Sequence, residues 1–191
     1  MLGRLSPARA ALPLDYGTAV GQRNACLRRI AGGMGNRDAL APWTAKVAEL
    51  GSLLVSARRE AIALLEPAFG ERAGELGLPV AALEYGGDPP TEAALEARLE
   101  RDLERCVTGL GPHLDDVAVR SAERDLRSFG SQGEQRIAVL ALLLAEAELI
   151  TERRGVAPLL LLDDVLSELD ASRRHALADR QETLRQGLPD A

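Results

Sequence analysis

Four consecutive leucines, Leu159 to Leu162, follow Pro158 and run straight into Asp163-Asp164. A strand with one wet face alternates apolar and polar residues. An unbroken apolar run of strand length that stops at acids reads as a strand buried on both faces. Such a strand needs a layer on each side, which means helices over a mostly parallel sheet. Helix-forming material is plentiful. Leu and Ala supply 34 and 31 of the 191 residues, whereas Val and Ile together supply 14 and aromatics 3%. The expected fold class is α/β with a large helical lobe and little sheet. At 46% hydrophobic the chain is no disordered polymer, and its length suits one good core or two small ones.

The pattern along the chain places the elements. Residues 15–30 form a polar helix candidate that ends at the glycine-rich AGGMGN. Trp43, Val47, Leu50, Leu54, Ala57, Ala61 and Leu64 step by three and four and predict a helix over 43–65, interrupted at Pro67. A short helix to Leu76 and a short strand at 80–85 follow. GGDPP at 86–90 is the strongest breaker. Thr91 is placed to cap a helix over 91–107, with Leu95, Leu99, Leu103 and Val107 on one side. A strand is expected at 117–120, then a polar loop, a helix over 134–154, the leucine strand and a charged helix over 171–186. This divides the chain into a mainly helical lobe, 1–110, and a second region, 111–191.

Charge follows the same division. Residues 1–90 carry 10 basic and 9 acidic groups, while 91–191 carry 13 and 20. An acidic chain does not advertise nucleic-acid binding, although a local basic patch can coexist with an acidic body. Cys26 and Cys106 have neither CxxC spacing nor suitable histidines, so no zinc site is expected. The N-terminus lacks a clean signal-peptide core and no apolar run reaches membrane-spanning length, so a cytoplasmic protein with no membrane partner is expected.

Three segments in a fixed order carry the chemistry. Ser131-Gln132-Gly133-Glu134-Gln135-Arg136 opens a helix, where a hydroxyl and free backbone N–H groups face outward, the helix dipole favours anions, and glycine admits close approach. Asp163-Asp164 closes the buried strand, where one acid can hold Mg2+ and its neighbour can orient water. Ser167-Glu168-Leu169-Asp170 follows in the loop. Singly, each is an ordinary helix cap or strand end. In this order they form a set.

The ordered set resembles the signature motif, Walker B strand and D-loop of an ABC-type ATPase head. QRNACLRR at 22–29, GPHLDD at 111–116, RSFGSQGEQR at 127–136 and LLLLDDVLSELDASRR at 159–174 narrow the resemblance to the RecF family of DNA replication and repair proteins, over about residues 14–175. The resemblance implies a partial head (signature helix, Walker B strand, D-loop) in 111–191 and a helical arm in 1–110. It implies that Ser131 and Gly133 touch the γ-phosphate of ATP held by a partner subunit. Asp163 would serve Mg2+, Asp164 would polarise water, and Asp170 would lie at the dimer seam. It further implies an ATP-dependent dimer, binding to DNA at single-strand/double-strand junctions, and work with RecO and RecR to load RecA.

Two departures qualify these implications. The P-loop pattern GxxxxGK[ST] requires a lysine, and the chain's one lysine, Lys46, sits between Ala45 and Val47 in the strongest helix pattern. The chain therefore reads as the C-terminal portion of such a protein and is not expected to hydrolyse ATP alone. Leu114 follows GPH where the family usually has a basic residue. A non-catalytic DNA- or partner-binding module on the same fold is the alternative, with Arg28-Arg29 and Arg58-Arg59 as its candidate basic pairs.

Overall fold

The structure, a computed structural model, describes residues 9–160. The leucine strand beyond Leu160, Asp163, Asp164, Asp170 and the helix expected over 171–186 lie outside the described residues. In chain order the elements are α1 (Leu12–Ala31), a 3-10 turn (Arg37–Leu40), α2 (Ala41–Glu75), β1 (Ala81–Tyr85), α3 (Glu92–Ala97), α4 (Leu99–Arg105), β2 (Val117–Ser121), β3 (Arg124–Asp125), α5 (Leu126–Phe129) and α6 (Gln132–Arg154). They form two compact units. Among the described residues, one comprises 9–60 and Tyr85–Asp116; the other holds Ala61–Glu84 and 117–160.

In the first unit, the core gathers Tyr16, Ala19 and Val20 from α1, Val47, Ala48, Leu50 and Leu54 from α2, and Leu95 from α3. α1 looks polar in sequence because one of its inward positions is an arginine: Tyr16, Ala19, Val20, Arg23 and Leu27 form its buried stripe. Arg23 is 1% exposed. Its guanidinium donates to Asp102 on α4 at 2.7 Å, to the Thr108 hydroxyl at 2.9 Å and, through Nε, to the Thr44 hydroxyl on α2 at 3.3 Å. Asp102, 2% exposed, uses its other oxygen to accept from the Gly109 N–H at 3.1 Å. Beside this pair, Asn24 Oδ1 accepts from both the N–H and the hydroxyl of Thr108, each at 2.7 Å.

The helix expected over 91–107 is two helices. Thr91 caps the first as expected, its hydroxyl accepting from the Ala94 N–H at 3.1 Å. Arg98, at φ −99° and ψ −5°, then breaks the run. The leucine period does not register this break, because Asp102 is drawn to Arg23 and that polar anchor outranks the apolar one. α4 ends at Cys106 in the left-handed conformation, φ +56°. A second correction concerns α2, which continues through Pro67 to Glu75. Pro67 lies on the exposed side, between buried Leu65 and Phe69, so the helical bond lost with its N–H is lost away from the core. Lys46 does lie in this helix, paired with Glu49 at 3.0 Å.

The second unit buries Leu65, Phe69, Ala73, Leu76, Leu78 and Leu83 together with Leu126 and the inner face of α6, notably Ile137, Leu140, Ala141 and Leu144. Arg72 on α2, 1% exposed, pairs with Glu75 at 2.6 Å, Glu71 at 2.8 Å and Glu148 on α6 at 3.3 Å. The strands form one sheet in the order β1-β2-β3. The polar stretch 121–136, expected to be a loop, contains an antiparallel hairpin, with Ser121 opposite Arg124, followed by the short α5. The hairpin escapes sequence reading because its loop is Ala122-Glu123 rather than an Asn-Gly type. Ala122 adopts φ +52°, and its N–H donates to the carbonyl of Val80, itself at φ +53°, at 2.9 Å. Each left-handed side chain costs about 1–2 kcal/mol, so this junction is strained.

The buried pair sets a stability test. Asp102→Ala leaves a guanidinium uncompensated in the core and is expected to cost about 3–5 kcal/mol, whereas Arg23→Met with Asp102→Leu is expected to recover most of that loss. Urea unfolding of both variants checks this; equal costs would show that the charge pair is not what matters.

Candidate functional site

The first turn of α6 is built from β3 onward. Asp125 caps α5, accepting from the Arg127 N–H at 3.0 Å and the Ser128 hydroxyl at 3.2 Å. Gly130 then turns the chain so tightly that a Cβ there would stand 2.6 Å from the Leu126 carbonyl oxygen. Gln135 reaches back from α6, and its side-chain N–H2 donates to the carbonyls of Leu126 at 2.9 Å and Gly130 at 3.2 Å. Ser131 is the N-cap. Its hydroxyl oxygen accepts from the Glu134 N–H at 3.2 Å while its own N–H donates to Glu134 Oε2 at 2.7 Å, a complete capping box. The other carboxylate oxygen of Glu134 accepts from Arg124 at 2.9 Å. The Ser131 N–H above all, then its hydroxyl and Arg124, hold Glu134 below the usual carboxylate range.

This arrangement leaves specific groups available. The Ser131 hydroxyl proton is not committed by its acceptor role. The N–H groups of Gln132 and Gly133, first and second in the helix, have no partner within it, as at any helix start. A Cβ on Gly133 would meet nothing nearer than the Ser131 oxygen at 3.9 Å. Packing therefore does not require glycine here, and in a helix glycine costs roughly 0.5–1 kcal/mol relative to alanine. What it provides is open space above two N–H groups. A cleft of about 440 Å3 lies alongside, lined by Gln132, Gln135, Arg136 and Val139. These residues fit a phosphate group: hydroxyl, two amides, helix dipole and an unobstructed approach.

A second organised feature occupies the first unit, at Thr108–Asp116. His113 Nε2 lies 2.9 Å from the Thr108 carbonyl, which can only accept, so Nε2 carries the proton. Nδ1 then accepts from the Tyr16 hydroxyl at 2.7 Å. Burial pushes the Tyr16 phenol above its usual range. Gly111 sits at φ +128°, and a Cβ there would collide with the Tyr16 hydroxyl. Arg58 donates to the Pro112 carbonyl and lies over the Tyr85 ring, 5.7 Å from its centroid. The Tyr85 hydroxyl donates to Asp115 at 2.6 Å. Burial and the Asp115 carboxylate raise the Tyr85 phenol. Arg59 holds the Gly87 carbonyl at 2.7 Å and Asp88 at 3.2 Å. Arg58-Arg59 is thus a loop-holding pair rather than a plain solvated basic face. Arg28 and Arg29 are exposed at the end of α1.

Of the residues singled out in sequence, the structure places Ser131 and Gly133 together at the α6 start. Asp163, Asp164 and Asp170 are outside the described residues. Leu114 is 62% exposed on the Thr108–Asp116 loop. Sequence reasoning missed Arg124 and Gln135, whose roles depend on a hairpin with no turn signature, and Tyr16, which lies far from His113 in sequence. The spacing of Ser131 and Glu134 was the one available signal for the capping box. Cys26 and Cys106 are free thiols, and among the described residues no group of acidic, His or Cys side chains is arranged to hold a metal. None of the described helices is long and apolar enough to cross a membrane.

No family model matches the chain. Curated relatives do. The chain is 41% identical over 172 residues to the DNA replication and repair protein RecF of Herpetosiphon aurantiacus, covering 85% of this chain and 45% of that protein. It is 40% identical over 180 residues to RecF of Symbiobacterium thermophilum, covering 86% and 47%. A solved structure described as the recombination mediator protein RecF-ATP in the RecFOR pathway superposes with a TM-score of 0.81 at 28% identity, covering 93% of this chain and 51% of that one. The fold is that of a partial ABC-type ATPase head with a helical arm. The chain belongs to the RecF family and spans about half the length of the curated relatives it matches.

The site carries its own test. Gly133→Ala is expected to leave the fold intact and raise helix stability by up to about 1 kcal/mol, whereas Ser131→Ala is expected to lower it by about 1 kcal/mol. Thermal unfolding of the two variants measures both. A destabilising Gly133→Ala would show that packing, not access, selects the glycine.

Proposed function

We propose that the chain is the C-terminal portion of a RecF-type protein of DNA replication, recombination and repair. It presents a signature edge that completes a nucleotide site whose phosphate cradle belongs to another subunit. The observation that carries this reading is the α6 start, where Gly133 has no packing duty, two helix N–H groups stand free and the whole turn is fixed from behind by Gln135. Ser131 and Gly133 would contact the γ-phosphate, Asp163 would hold Mg2+, Asp164 would orient the attacking water and Asp170 would meet the partner across an ATP-dependent dimer. The DNA substrate would be a single-strand/double-strand junction, with RecO, RecR and RecA as protein partners in the cytoplasm.

The single lysine favours a second reading, a DNA- or partner-binding module without catalysis. Lys46 is on the surface of α2, paired with Glu49, and serves no phosphate. The two readings share one expectation: the purified chain releases no phosphate from ATP above background. Turnover abolished by Asp164→Asn would refute it.

DNA binding separates a working chain from an inert one. Anisotropy with a tailed duplex is expected to show affinity that falls with salt. Arg28→Ala with Arg29→Ala is expected to reduce the slope of log affinity against log salt by about 2, since each phosphate contact contributes about 0.9. A flat salt response in the unaltered chain would sink the DNA-binding module.

A further inference from the structure

A helix start that receives phosphate normally offers its positive end to solvent. Here that end already carries an anion. Glu134 is the third residue of α6, its Oε2 accepts the Ser131 N–H at 2.7 Å, and its Oε1 is held by Arg124 at 2.9 Å. The carboxylate and an incoming phosphate would compete for one dipole and for the Arg124 guanidinium. Arg124 is half exposed on the hairpin that leads into the site, and it pairs with this carboxylate.

We propose that Glu134 is an internal competitor of nucleotide phosphate at the signature edge, and that phosphate binding displaces its carboxylate and takes over its Arg124 partner. This rests on the nucleotide reading above and adds its regulation. With no nucleotide bound, the ion pair and capping box keep the turn folded and its charge neutralised. When phosphate arrives, Ser131, Gln132 and Gly133 supply hydroxyl and N–H donors while Arg124 changes partner. The residue that sets affinity for the terminal phosphate is therefore one that would not itself touch it. A glutamine at 134 keeps an oxygen for the Ser131 N–H and so preserves the cap.

The test is a titration of the chain with inorganic tripolyphosphate, followed through the backbone amide resonances of Gln132 and Gly133. Glu134→Gln is expected to bind about three- to tenfold tighter than the unaltered chain, a modest charge effect at a solvated helix end. Adding Arg124→Met to Glu134→Gln is expected to remove that gain. Gly133→Val serves as the site control and is expected to abolish the shifts. If Gly133→Val abolishes them but Glu134→Gln binds no tighter than the unaltered chain, the competition is refuted and the site stands. Should the gain survive loss of Arg124, the hand-over of the guanidinium is refuted. If no variant shifts Gln132 or Gly133, or if Gly133→Val still does, the nucleotide reading itself fails. Circular dichroism of each variant confirms that α6 remains folded.

Discussion

The Arg23–Asp102 ion pair organises the first unit. A guanidinium and a carboxylate, each almost fully removed from water, are tolerable only when every remaining donor and acceptor is used. That demand recruits Thr44 from α2, Thr108 from the chain beyond α4 and the Gly109 N–H. Three separate stretches of sequence are thereby held to one charged centre. The Thr108–Asp116 loop inherits its start from this centre and its course from Tyr16, His113, Arg58 and Tyr85. Apolar packing alone would leave such a glycine- and proline-containing loop with several paths; the polar partners select one.

The same logic operates by different means at α6. There the groups are exposed, and order comes from local closure of hydrogen bonds rather than from burial. Asp125 caps one short helix, Ser131 and Glu134 cap the next, and Gln135 ties the turn between them. A turn so fully determined holds two unpaired backbone N–H groups in a fixed direction, so that any exchange of partners on anion binding would be confined to side chains. Gly133 has no side chain to contribute to this closure and no packing that requires glycine, which is why its identity speaks for access.

Legibility followed the kind of interaction involved. Residues that act through period or through local spacing were readable: the stripe Val47-Leu50-Leu54, the cap Thr91 and the helix opened by Ser131 all declare themselves within a few positions. Long-range polar partners were not. Arg23 made α1 look like a surface helix, and Asp102 sat unnoticed among exposed glutamates, because burial of charge leaves no trace without its partner 79 positions away. The hairpin at Ala122 failed for a different reason. Its loop holds Ala122 in a left-handed conformation that its side chain opposes, and the bond from the Ala122 N–H to the Val80 carbonyl helps to hold it there. The family resemblance was carried by short ordered segments, and two of those, QRN and GPH, turn out to be the anchors of the first unit's polar network.

A site that supplies only one side of a nucleotide faces a conflict that a complete P-loop does not. It must remain folded and soluble while its partner is absent, yet the features that bind phosphate, free N–H groups at a helix start and a glycine in the first turn, are the features that weaken that helix. A capping-box carboxylate resolves the conflict by stabilising the vacant turn. The cost is that the same carboxylate opposes the ligand. The placement of Arg124 would moderate that cost, because it neutralises Glu134 in the vacant turn and is the partner that, in the proposed exchange, the phosphate takes over. Stability of the vacant edge and affinity for the nucleotide are thus set against each other through a single residue, and an ion pair on a strained hairpin decides the balance.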